Sequence, residues 1–143
     1  MFRHQDIQEL LGKPPASTTE FSRRLGIRPN EQRRYSFAHA VALLFGQELT
    51  EFGFSRDLAA TCAVTLHDEL ARLLHEDDAD CWLVLQRDDD GTPICTAARD
   101  KESADAARDH GDVLVNGRKA AERAAAKVAA FIEAKQSQHR QRH

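Results

Sequence analysis

A chain of 143 residues, 41% of them apolar, is long enough for one ordinary domain or two very small ones and too apolar to be disordered throughout. Its formal net charge of -3 conceals three blocks: residues 1–36 hold 7 Lys/Arg against 4 Asp/Glu, residues 37–112 hold 6 against 17, and residues 113–143 hold 7 against 2. So acidic a middle excludes a protein that coats nucleic acid indiscriminately, because it repels phosphate over roughly a Debye length, and it confines any DNA contact to one face.

Ile7, Leu10 and Leu11 recur at helical spacing and predict a first helix from Gln5 to Leu11, stopped by Gly12 and the pair Pro14-Pro15. Ser17 with Glu20 three residues on is a capping-box pattern, which predicts a second helix from Thr18 to Leu25 with Gly26 as its C-cap. Two short helices joined through Gly12 fit a helix-turn-helix in which the second helix reads. Ser36 caps a third helix, with Phe37, Val41, Leu44, Phe45, Leu49 and Phe52 on one face and Gly53 at its end. Ser55 and Asp57 start a fourth, with Leu58, Cys62, Leu66, Leu70 and Leu73 as its stripe. At about 20 residues and roughly 30 Å it is longer than a small N-terminal core needs, so part of it is expected to project into a partner or the C-terminal half.

Beyond residue 80 the period changes. Cys81 to Leu85 and Ile94 to Thr96 read as the strands of a hairpin turned by Asp88-Asp89-Asp90-Gly91. Ser103 to His110 reads as a helix capped by Gly111, Val113 to Val115 as a strand, and Arg118 to Lys135 as an alanine-rich helix. Gln136 to His143 has no apolar anchor and is expected to fray. Six of the seven phenylalanines lie at or before Phe54, which points to two separately packed units joined by the long helix.

Arg33-Arg34-Tyr35-Ser36, then Leu49 and Gly53-Phe54-Ser55, together with Asp6 to Gly12, are the residues that carry a family likeness. The segment resembles the winged-helix half of MerR-type transcription regulators, over about the first half of the chain. That resemblance implies a winged helix-turn-helix DNA-binding domain over 1–54; together with the residue patterns it gives an α+β chain that continues with a connecting or dimerisation helix over 55–78, a small β-β-α-β-α oligomerisation or sensing unit over 79–135, and a disordered tail over 136–143. It also implies a dimer on double-stranded DNA, with paired reading helices on an inverted repeat. The segment between Ile27 and Arg33, where the wing falls, is short and lacks a glycine.

The candidate DNA contacts follow from chemistry and position. Ser17, Thr18, Thr19, Ser22, Arg23 and Arg24 lie on or near the second helix, where hydroxyls reach phosphates or base edges and arginine matches guanine bidentately. Lys13, Arg28, Arg33, Arg34 and Tyr35 are expected to hold the phosphate backbone, beside a helix N-terminus that itself favours an anion. Cys62, Cys81 and Cys95 are an odd number without paired spacing, neither a disulfide framework nor a zinc pattern. If Arg87 faces Thr92, Val84 rather than Cys81 faces Cys95, and the thiols read as separate buried apolar groups. His67 and His75 lie about 12 Å apart along a helix, too far to share an ion. The aspartate run lacks the downstream glutamate of a calcium loop.

The expectation is therefore a sequence-specific DNA-binding regulator, probing DNA as a homodimer, with no cofactor, no metal, no enzymatic activity, no membrane segment and a cytoplasmic location. Two alternatives use the same N-terminal features: a phage DNA-packaging subunit similar to small terminases, and a protein-interaction adaptor that has lost DNA binding.

Overall fold

The computed structural model describes residues 2–13, 15–24, 26–27 and 29–142, with the side chains of residues 15–17 and 142 outside the description. Helices α1 (His4–Leu11) and α2 (Pro15–Arg24) lie between two short strands, β1 (Phe2–Arg3) and β2 (Arg34–Tyr35). These strands pair antiparallel, Phe2 opposite Tyr35 and Arg3 opposite Arg34. Gly12 ends α1 at φ +66, where it accepts no penalty for the left-handed region. α2 begins earlier than the capping-box pattern predicts. Pro15 occupies its first turn, where a missing N–H costs nothing, so Ser17 lies inside the helix rather than at its cap.

α3 (Phe37–Glu51) and α4 (Arg56–His75) are capped as their sequences predict. Ser36 Oγ accepts from the His39 N–H at 3.1 Å, and Ser55 Oγ accepts from the Leu58 N–H at 3.2 Å. α3 is buried round most of its circumference, with every residue from Ala40 to Gly46 inside. A helix apolar on all sides needs partners on all sides. It finds them in α1, α4 and the last helix of the chain.

The C-terminal half is a three-stranded antiparallel sheet of order β4-β3-β5, built from β3 (Trp82–Arg87), β4 (Pro93–Ala98) and β5 (Val113–Asn116). Helix α5 (Lys101–His110) connects β4 to β5, and α6 (Gly117–Arg142) follows directly. The hairpin register differs from the expected one: Arg87 pairs with Pro93 and Leu85 with Cys95. The reason is a tight loop in which Asp88 Oδ1 accepts from the N–H groups of Asp90 and Thr92, at 2.9 and 2.8 Å. At the start of α6, a Cβ on Gly117 would meet Cys81 Sγ at 2.9 Å, so only glycine lets the helix begin against that buried thiol. α6 also continues as helix through Arg142, where the sequence predicts fraying from Gln136. Alanine, glutamine and arginine all propagate an existing helix well, and propagation needs no apolar anchor.

The chain is thus α+β. Where the sequence points to two separately packed units, one apolar cluster runs from Phe2 and Ile7 through α3 and α4 to Leu83 in the sheet and Val128 in α6. Two buried carboxylates tie the same elements. Glu48 on α3 is 8% exposed and accepts from Arg123 at 3.1 Å and Lys127 at 2.8 Å, both on α6. Glu69 on α4 accepts from Arg99 at 2.9 Å and Arg72 at 3.2 Å. Burial pushes the Glu69 carboxyl up, but hydrogen bonds from Arg99 and Arg72 outweigh it and hold it below its ordinary value. Glu48→Gln keeps the shape and removes the charge that both cations face. It is expected to lower the unfolding free energy by about 1–2 kcal/mol in urea titrations, an effect that shrinks in high salt because the partners are half exposed.

Candidate nucleic-acid interface

Tyr35 ends β2 beneath the first turn of α1 and the outer edge of α2. Its ring is buried, and its hydroxyl lies 3.4 Å from His4 Nδ1 and 3.3 Å from Ser22 Oγ. Ser22 donates to the Ile27 carbonyl, which leaves its oxygen free to accept from Tyr35. Thr19 Oγ1 lies 3.1 Å from His4 Nε2 on the far side of the imidazole. These contacts add a polar tie between α1, α2 and the β1–β2 ribbon to the apolar packing of Phe2, Ile7, Leu11 and Phe21.

The arrangement divides the predicted contact residues. Thr18 is fully buried with its hydroxyl 3.5 Å from the Lys13 carbonyl, and Ser22 and Tyr35 are buried in the network just described. Those three side chains are corrected from DNA contacts to internal ties: Thr18 and Ser22 lie four positions apart on one face of α2, the face that is buried. Thr19, Arg23 and Arg24 point outward. Arg24 is paired with Glu20 at 3.1 Å on the same helix. Arg28 and the Ser17 side chain lie outside the described residues.

Thr19, Arg23, Arg33, His4 and Tyr35 line one open groove between α2 and the ribbon. Among the described residues neither Arg23 nor Arg33 has a carboxylate partner. The groove is wide and its rim cationic, which suits an anion with a repeating backbone better than a small enclosed ligand. A second cleft on the other side of α2 holds Lys13, Glu20, Arg24 and Arg56, with the Lys13 ammonium 5.4 Å above the Phe21 ring. Arg56 and His4 were not singled out by the sequence. Arg56 arrives because the turn after Phe52 brings the start of α4 beside α2, a non-local placement with no local signature.

The turn that presents Arg33 is built around Asn30. Asn30 Oδ1 accepts from the Gln32 and Arg34 N–H groups at 3.0 and 2.9 Å, and the Asn30 carbonyl accepts from Arg33 N–H at 2.9 Å. Arg33 takes the left-handed position at φ +59, the only non-glycine residue among those described to do so. The glycine missing from the sequence here is therefore replaced by a strained arginine, and a strained residue at a candidate site points toward a use for its side chain. Arg33→Gly is expected to leave stability unchanged or raise it by up to about 1 kcal/mol, since relief of left-handed strain is partly offset by the freer unfolded chain. Arg33→Val is expected to cost at least about 1 kcal/mol in the same urea titration.

His39 sits behind this corner. Its Nδ1 accepts from the Ser36 N–H at 3.2 Å and completes the cap of α3, while its ring stacks on His67 at 5.0 Å and meets the Tyr35 ring edge-on at 6.4 Å. Burial, then the neighbouring His67, holds the His39 imidazole below its usual value of 6.5. A histidine that is harder to protonate when folded contributes stability that is fully present above the unfolded value and lost as pH falls through the folded one. The chain should therefore lose thermal stability between about pH 7 and pH 5, and His39→Gln, which keeps a capping side chain at this position, should lose less over the same interval.

Further from the corner, four cations of α6 are engaged by partners within the chain. Arg118 donates to the Ala79 and Glu76 carbonyls, Arg123 and Lys127 bind Glu48, and Lys135 pairs with Glu9 at 2.5 Å. Among the described residues no three His, Cys, Asp or Glu side chains converge as metal ligands, and no helix is long and apolar enough to cross a membrane. No protein-family profile matches the chain, and no curated protein matches it in sequence.

Proposed function

We propose that the chain binds double-stranded DNA through α2 and the β1–β2 ribbon, as a winged helix-turn-helix regulator acting as a homodimer. One observation carries the reading. Arg23 on the outer face of α2 and Arg33 at the ribbon's strained turn line the same groove without carboxylate partners among the described residues. Two guanidinium groups set either side of a concave surface can clamp successive phosphates, while Thr19 between them is short enough to let the helix approach. Lys13 and Arg56 extend the positive surface beyond Arg24, and Arg34, half-buried on β2, lies beside Arg33. Short helices α1 and α2 on either side of Gly12, followed by the ribbon and α3, support the winged arrangement. One such protomer offers few base contacts, which is the physical reason for a dimer.

A protein-interaction adaptor is the second reading. It is favoured by the inward turn of Thr18 and Ser22, which leaves the presumed reading helix with few groups that reach a base edge. The two readings differ in salt dependence. Titrating labelled duplex DNA by fluorescence anisotropy from about 50 to about 200 mM salt should give a log–log slope near -0.9 per phosphate contacted, and Arg23→Ala and Arg33→Ala should each flatten that slope by about one contact. Equal affinity of wild type and the double variant at every salt concentration would falsify the groove assignment and leave the adaptor. Light scattering on the same samples separates a dimer from the ring expected of a packaging subunit.

A further inference from the structure

Cys62 lies on the inner face of α4 and Cys95 on β4, which packs against that helix. The Thr65 hydroxyl, one turn along α4 from Cys62, donates to the Cys95 carbonyl at 3.1 Å and pins the strand at this point. Cys95 packs against the buried cluster that holds Cys62, so the two thiols face one α4–sheet interface, 33 positions apart in sequence and on different elements. Cys62 is fully buried, whereas Cys95 is only partly so and has a path to solvent. The third cysteine, Cys81, is buried against the start of α6 and belongs to no such pair.

We propose that Cys62 and Cys95 are a redox-reactive pair that hydrogen peroxide converts to an intramolecular disulfide joining α4 to the sheet. This inference stands on α4 and β4 and is independent of DNA binding. The partly exposed sulfur is the one poised to react. The neighbouring Cys62 side chain draws the Cys95 thiol down and burial opposes it. Cys62 is pushed the other way by the Cys95 side chain and by burial, so it holds its proton until Cys95 has reacted. In the first step the Cys95 thiolate attacks one peroxide oxygen, the O–O bond breaks, and the departing hydroxide takes up a proton to leave as water, giving a sulfenic acid. In the second, Cys62 sulfur attacks Cys95 sulfur, the S–O bond breaks, and the oxygen leaves as water with the Cys62 proton. Two thiols and one peroxide thus yield one disulfide and two waters.

The pair also predicts an order of reactivity. Burial pushes the Cys81 thiol up to about 11 and closes it off from solvent, whereas Cys95 is partly exposed and drawn down, so Cys95 is expected to react faster than Cys81 toward iodoacetamide. The test uses the full chain treated with a small excess of hydrogen peroxide, quenched with iodoacetamide and measured as intact mass and as unreduced peptides. The expected product has lost two hydrogens, carries a linked Cys62–Cys95 peptide reversed by dithiothreitol, and keeps Cys81 alkylated. Cys62→Ser retains a hydroxyl donor beside Cys95, so it should still give a dimedone-trappable sulfenic acid but no disulfide. Oxygen gain at Cys95 of the wild type without the link, a link to Cys81, a link between two chains, or equal alkylation of Cys81 and Cys95 would each overturn the proposal.

Discussion

Glu48 is the polar residue on which the seating of the C-terminal half depends. It lies on the one helix of the chain that is buried nearly all round, where an unmatched carboxylate would be strongly unfavourable. Among the described residues α6 alone supplies cations to it, through Arg123 and Lys127 one turn apart, and they reach it when the small residues Ala120, Ala121 and Ala124 face inward. Apolar contact alone would let an alanine-rich helix slide or rotate on its neighbour, because small side chains interlock weakly. A buried charge matched at two points permits one register. Since α6 follows β5 without a loop, that register also sets where the third strand can lie against β3.

A similar division between fixing and presenting operates at the N-terminal corner. Hydroxyls and an imidazole (Tyr35, Ser22, His4) hold the angle between α1, α2 and the ribbon, and guanidinium groups are left to face outward. Hydroxyls suit the inner role because each can donate and accept, so a chain of them satisfies itself when dehydrated. Guanidinium groups suit the outer role because they have donors only and would need a carboxylate inside. Arg24 has found one in Glu20 and is for that reason the less available of the two adjacent arginines.

What was legible in the sequence was local. Ser36 and Ser55 announce helix starts, Asp88 to Gly91 a turn and Gly111 a helix end, because each signal concerns backbone donors within a few residues of itself. Thr18 and Ser22 share a face of α2 by their spacing of four, but hydroxyl side chains suit either a buried or an exposed face, so their type does not reveal which way that face turns. What was not legible was joined across distance. β1 and β2 are two residues each and exist only because Phe2 meets Tyr35, the Glu48 clamp spans 75 positions to Arg123, and Arg56 reaches α2 only by way of a turn. Pro15 was ambiguous in itself, since proline both stops a preceding helix and opens the next.

The acidic middle block follows from the same distinction. Part of its charge is engaged within the fold: Asp100 caps α5 and Asp88 closes the hairpin loop locally, while Asp112 accepts from Gln86 and His110, and Glu48 and Glu69 are matched inside by distant partners. The remainder sits mostly at the end of α4, on the hairpin loop and on α5, elements that pack with the sheet, while α2 packs with α1. A chain whose sum is close to neutral can therefore keep a cationic groove at one end, because the carboxylates that would compete for Arg23 and Arg33 are either committed to the fold or carried on other elements. Under the proposed function, repulsion from those carboxylates would favour a polyanion that approaches α2 and the ribbon.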